Sequence, residues 1–145
     1  MAKQRLKLAE FLPYQLSITS NAVSDLIARA YRGRFALKIP EWRLMAVLGE
    51  RASATQRELV AATAMDKVTV NRASKTLEDR GLIGRAPNAR DGRSHHLALS
   101  GTGRELYDQI VPLALSVEAE LLDSAEARAL EAMLSRLRAR VAELE

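Results

Sequence analysis

The chain has 145 residues, of which 48% are hydrophobic but only 4% aromatic, so one domain with a core of Leu, Val and Ala is expected, and that composition favours helices. It contains no cysteine, which excludes disulfides, cysteine-based zinc fingers and thiol redox switching together. The net charge of +4 is localised: between Lys67 and Arg104 eight basic residues stand against three acidic ones, a local balance of +5, while the rest of the chain balances to −1. A solvated basic face is the plain reading of such a segment. A polyanionic partner is the sharper one, because the charge coincides with the motif described below.

The opening MAKQRLKLAEF is charged and has no apolar run of signal-peptide length, and no later stretch approaches a membrane span. A cytoplasmic protein with no membrane partner is expected. Pro13 suits a helix start, and Leu16, Val23, Leu26, Ile27, Ala30 and Tyr31 recur at helical spacing, with Gly33 as the expected stop. Ser17, Ser20, Asn21 and Ser24 form a polar face on that helix, either simply solvated or a wall of a ligand cavity. Phe35, Leu37 and Ile39 read as an apolar connector. Pro40 opens a second helix, PEWRLMAVLGE, in which the sole tryptophan, Trp42, reads as core before ligand platform.

Thr55 and Glu58 make a T-x-x-E capping box that starts a short helix over about Gln56 to Ala62. Ala64 and Met65 supply a turn, and Asp66 is an N-cap for the next helix. There Val70, Ala73 and Leu77 fall on one stripe, which predicts an outward face of Lys67, Val68, Thr69, Asn71, Arg72 and Lys75, ended by Gly81. Leu82 to Ala86 and His95 to Leu99 read as strands joined by a polar loop with Asp91-Gly92 near its tip. Ser100 caps a long helix to about Leu122, with a kink or break expected at Pro112 and some loosening from Gly101 and Gly103. Asp123 or Ser124 caps a last helix whose Leu130, Leu134, Leu137, Val141 and Leu144 are spaced like a coiled-coil seam, which suggests a subunit interface.

This order gives the fold class: mainly α with a small β-hairpin wing, a winged helix-turn-helix flanked by N- and C-terminal helices, which the family resemblance given below implies are dimerisation helices. The regions are 1–34, an N-terminal dimerisation helix; 35–100, the DNA-binding winged helix; and 101–145, the C-terminal dimerisation helices, forming one structural domain per protomer. The face of the helix from Asp66 to Arg80 carries residue types that read base edges. Asn71 suits adenine, Arg72 and Lys75 suit guanine, and Val68 and Thr69 suit the thymine methyl. Lys67 lies at the helix N-terminus, which favours phosphate. In the wing loop Arg90 and Arg93 flank Asp91, and an arginine at a wing tip can enter a narrow minor groove while an aspartate orients it. His95 and His96 are adjacent, so in a strand they face opposite ways and do not chelate one metal. No catalytic constellation or phosphate-binding glycine loop is present, so neither an enzyme nor a cofactor is expected.

The pieces FLPYQLS, KIPEWRLMAVL, TQRELVAAT, DKVTVNRASKTLEDRGLI, ARDGRS and LALSGTGREL, in that order from Leu12 to Leu144, resemble the MarR family of bacterial transcription regulators. The resemblance implies a homodimer on a double-stranded, pseudo-palindromic operator, with the Asp66–Arg80 helix in the major groove and Arg93, oriented by Asp91, in the minor groove. It also implies a repressor released by a small effector, often aromatic and anionic, bound near Ser17, Asn21, Trp42, Arg43 and Tyr107. Arg43 would pair with a carboxylate there or, on the plainer reading, be a surface residue. Peroxide sensing of the kind that uses a cysteine is excluded. The alternative is an architectural DNA-binding protein without an effector.

Overall fold

In the computed structural model, which describes residues 3–86 and 95–145, the chain is helical except for three short strands. After a single 3-10 turn at Leu8–Glu10 come α1 (Leu12–Ala28), α2 (Arg32–Phe35), α3 (Ile39–Glu50), β1 (Ala54–Thr55), α4 (Gln56–Thr63), α5 (Lys67–Asp79), β2 (Ile83–Arg85), β3 (His96–Leu99), α6 (Gly101–Leu121) and α7 (Ser124–Leu144). No helix of the described residues is long and apolar enough to cross a membrane.

The helix starts follow local chemistry. Thr55 Oγ1 accepts from the Glu58 amide and Glu58 Oε1 accepts from the Thr55 amide, both at 3.1 Å, which satisfies two backbone donors at the head of α4 reciprocally. Asp66 Oδ1 accepts from the Thr69 amide at 2.7 Å and Ser100 Oγ accepts from the Gly103 amide at 3.0 Å. Asp123 and Glu126 repeat the reciprocal box at α7. Helix α5 closes with Gly81 at φ 70°, the Leu82 amide donating back to the Leu77 carbonyl and the Gly81 amide to that of Glu78. This is the left-handed end that glycine permits without strain.

Three local expectations are corrected. Gly33 does not stop the first helix. α1 tightens and ends at Ala28, Gly33 lies inside α2, and the residue in left-handed conformation is Ala36, at φ 53°. Pro112 does not break α6, which stays helical from Gly101 to Leu121, with Ile110 and Ala114 buried on either side of it. Gly103 is no weak point, since a Cβ there would collide with the Leu82 carbonyl oxygen; the glycine lets α6 seat directly on the chain leading into β2.

The strands form one antiparallel sheet in the order β1-β3-β2, so the expected hairpin gains a third strand. Ala54 pairs with Leu97 and Thr55 with His96 on one side of β3, and Ile83 pairs with Leu99, Gly84 with Ala98 and Arg85 with Leu97 on the other. The core lies between this sheet and the helices. Leu37, Leu44, Met45, Leu48, Leu59, Val70, Leu77 and Ile110 are fully buried in it. Each such side chain contributes about 1.5–3 kcal/mol by leaving water.

Candidate nucleic-acid interface

The stripe of α5 falls as its spacing requires. Val70, Ala73 and Leu77 are buried, and Ser74 with them. Ser74 is held by Gln56, whose Nε2 donates to Ser74 Oγ at 3.1 Å and ties α5 to the first turn of α4. The turn between the two helices is short because Ala64 takes a left-handed conformation at φ 57°. Thr63 Oγ1 donates to the Leu59 carbonyl at 2.6 Å and accepts from the Met65 amide at 3.4 Å.

With one side of α5 fixed in the core, the opposite side meets solvent. Lys67, Val68, Asn71, Arg72 and Lys75 are all exposed, and Thr69 is half-buried. Val68 is 64% exposed, an apolar side chain with no cover in the protomer. Thr69 is partly committed: its hydroxyl donates to Asp66 Oδ2 at 2.9 Å. Hydrogen bonds from the Thr69 amide and then its hydroxyl hold the Asp66 carboxyl below its ordinary value of 3.8. The head of α5 therefore keeps a charged cap, while the methyl of Thr69 is its part still free for an apolar contact. The wing residues Arg90, Asp91 and Arg93 lie outside the described residues.

One basic residue belongs with this face although it stood outside the charged segment. Arg57, exposed on the first turn of α4, lines an open cleft of about 410 Å³ with Gln56, Val60 and Lys67. The signal for it was its place inside the Thr55–Glu58 capping box, at the head of the helix that crosses the backbone in helix-turn-helix proteins. Conversely, two arginines of the basic segment are spent internally. Arg104 Nη1 donates to the Gly49 carbonyl at 3.1 Å and its guanidinium sits 5.5 Å from the Tyr107 ring centroid. Arg80 donates to the carbonyls of Phe35 and Ala36.

The second group of expected residues is brought together in part. Trp42 stacks on Tyr107 with ring centroids 5.8 Å apart and on Tyr31 at 5.3 Å, which links α3, α6 and the segment between α1 and α2. Tyr107 lies against Gly49, where a Cβ would collide with its ring. Burial pushes the Tyr31 hydroxyl up from its ordinary value, with Arg32 and Arg43 pulling the other way. Arg43 Nη2 reaches Ser24 Oγ at 3.5 Å. Ser17 and Asn21 are exposed on the α1 face that carries Ser24, about two turns and one turn before it respectively. His95 is exposed, while His96 is half-buried with Nδ1 buried and unpaired. Among the described residues no group of three His, Asp or Glu could hold a metal ion.

Comparison with known proteins bears on this arrangement. Residues 37–94 match the sequence profile of the MarR family. The transcriptional regulator HosA of Escherichia coli is 25% identical over 99 residues, 68% of this chain and 73% of that protein. A MarR/EmrR family transcriptional regulator from Acinetobacter sp. ADP1 superposes with a TM-score of 0.83 at 26% identity, covering 95% of this chain and 99% of its own. A probable transcriptional regulator from Pseudomonas aeruginosa gives 0.78 at 27% identity, over 90% and 99% respectively.

Proposed function

The chain belongs to the MarR family of transcriptional regulators, and from that premise we propose that it is a sequence-specific homodimeric repressor that reads double-stranded operator DNA with α5 and is released by a small ligand. The observation that carries the reading is the exposed face of α5, where Asn71, Arg72 and Lys75 stand beside an uncovered Val68. Asn71 reads adenine, Arg72 and Lys75 read guanine or meet phosphate, and Val68 with the Thr69 methyl packs on thymine. Lys67 and Arg57 hold the phosphate backbone across their shared cleft. Arg90 and Arg93, with Asp91 orienting Arg93, extend the contact into the minor groove.

The regions divide the work: 1–34 and 101–145 build the dimer, and 35–100 reads DNA. Support for the division comes from apolar side chains exposed on α1, α6 and α7, among them Leu16, Ile18, Leu115, Leu130 and Val141. Two copies of α5 then face successive major grooves of a pseudo-palindrome, about one duplex turn apart. The effector is an aromatic anion. Its site is the junction of α1, α3 and α6, where Arg43 supplies the cation, the Trp42 and Tyr107 rings supply stacking, and Ser17 and Asn21 form the polar rim.

Selection of bound fragments from a random DNA pool tests this directly. A regulator prefers its selected site over random DNA by about 10³-fold or more. Lys75→Ala weakens binding and lowers the slope of affinity against salt by about one. Binding with no such preference makes the protein an architectural DNA-binder, and binding insensitive to ionic strength removes the DNA reading altogether. Aromatic acids are then screened for release, with Arg43→Gln expected to abolish the response while leaving DNA affinity intact.

A further inference from the structure

Arg80 follows the last residue of α5, and its side chain reaches back to a segment about 45 positions earlier in the chain. Nη1 donates to the Ala36 carbonyl at 2.9 Å and Nη2 to the Phe35 carbonyl at 3.0 Å. Both acceptors sit at the end of the single-turn helix α2, where the last carbonyls lack helical partners and carry partial negative charge. A planar guanidinium presents two parallel donors to two neighbouring oxygens, which a lysine ammonium cannot do. The gripped segment is anchored in turn. The Leu37 amide donates to the Tyr31 carbonyl at 3.2 Å, Leu37 is fully buried, and Tyr31 stacks on Trp42.

We infer that Arg80 is a positioning residue for operator recognition: its charge grips the α2 carbonyls, not DNA, and sets the tilt of α5 against the terminal helices. Besides the apolar packing of Val70, Ala73 and Leu77 in the core, the other side-chain hydrogen bonds that hold α5 among the described residues are local to the helix-turn-helix unit, namely the Asp66 cap at its head and the Gln56–Ser74 bond near its middle. Among the described residues, the Arg80 grip is the side-chain hydrogen bonding that joins its far end to the chain leaving α1. The helix is about 20 Å long. A tilt pivoting at the cap therefore displaces Lys75 by more than Lys67, and side chains that must meet base edges in register lose their partners first. Non-specific binding, which needs only charge near phosphate, is spared.

This inference rests on the DNA-reading role proposed for α5, and its test separates the two. Arg80→Gln and Arg80→Lys are compared with Lys75→Ala for affinity to the selected site and to random DNA across a salt series. The expected result is a loss of about tenfold to a hundredfold at the selected site for both Arg80 variants, the scale of a charged hydrogen bond. Random-DNA affinity and the salt slope stay at wild-type values, and lysine gives no rescue. Full retention of site affinity by Arg80→Lys overturns the inference, as does a drop in slope of about one in Arg80→Gln, since either makes Arg80 a phosphate contact. Amide exchange over residues 32–38, read without DNA, covers a variant that folds poorly. Faster exchange there in Arg80→Lys at unchanged helix content supports the grip, and unchanged exchange overturns it. If the wild-type chain has no preferred site, the function fails while the exchange result still judges the contact.

Discussion

Helices α5 and α7 look alike on paper and behave oppositely. Each has an N-terminal aspartate cap and a regular apolar stripe. In 13 residues α5 buries Val70, Ala73, Ser74 and Leu77. In 21 residues α7 buries nothing, and Leu130, Met133, Val141 and Leu144 remain 47%, 64%, 51% and 81% exposed. Among the described residues no other element packs extensively on α7. Periodicity says that a helix needs cover, and burial says whether its own chain supplies it. For α5 the cover is internal, which frees the opposite face for a ligand. For α7 the cover must come from outside, and in the homodimer proposed above a second copy would supply it by symmetry.

The sharpest way to break this comparison is to damage each stripe. Leu77→Ala removes a fully buried side chain and is expected to cost about 2–5 kcal/mol in chemical denaturation, whatever the protein concentration. Leu137→Asp puts charge into the α7 seam. In that variant sedimentation should report monomer, and the rise of Tm with protein concentration expected of the wild-type dimer should vanish. A dimer that survives Leu137→Asp, or a Leu77→Ala defect cured by raising concentration, would remove the distinction.

A second test uses the glycines of one helix. Gly103→Ala forces a methyl against the Leu82 carbonyl and should cost about 1–3 kcal/mol, because neither backbone can move freely. Gly101→Ala, with nothing within 4 Å, should be neutral or stabilising by up to about 1 kcal/mol. Equal effects at both positions would show that α6 does not bear on the chain into β2.

These contrasts mark where the chain was readable. Caps were legible because Thr55 with Glu58, Asp66, Ser100 and Asp123 act on amides within a few residues of themselves. The face of α5 was legible because Val70, Ala73 and Leu77 decide it alone. Strand β1 was not: two residues show no alternation, and Ala54 and Thr55 are extended only because β3 offers an open edge. The end of α1 misled because Gly33 is the residue type for a stop, whereas Ala36 turns left-handed with its carbonyl gripped by Arg80, a contact no local pattern encodes. Arg80 and Arg104 counted as free charge for the same reason, and Arg57 went unnamed because its neighbourhood is neutral on average.

Alanine-to-glycine exchange should change sign between the two regions. Ala64 turns left-handed at the helix-turn-helix corner, a strain of about 1–2 kcal/mol for any residue with a Cβ. Glycine removes it but adds about 0.4–1 kcal/mol of freedom to the unfolded chain, so Ala64→Gly should gain up to about 1 kcal/mol. Ala139→Gly, in the exposed interior of α7, should lose about 1 kcal/mol. Thermal melts at one fixed concentration decide both, and a loss at Ala64 would mean the corner is held by more than its dihedral.

The smallest expected effect is the pH response of the α5 cap. Hydrogen bonds from Thr69 lower the Asp66 carboxyl below its ordinary 3.8, so the folded state favours the charged form. The stability this lends is fully present above 3.8 and disappears as pH falls through the lower folded value. Asp66→Asn keeps an oxygen that can accept from the Thr69 amide but cannot ionise. Wild type should therefore exceed the variant at neutral pH, and the gap should close only once pH has fallen through the lowered folded value, below which the carboxyl is neutral in both states. Glu58 is lowered in the same sense by the Thr55 amide, so Glu58→Gln serves as the parallel variant for α4. A gap that persists in acid would assign the benefit to the shape of the cap. A gap that closes assigns it to the charge of the carboxylate at the positive end of the helix dipole.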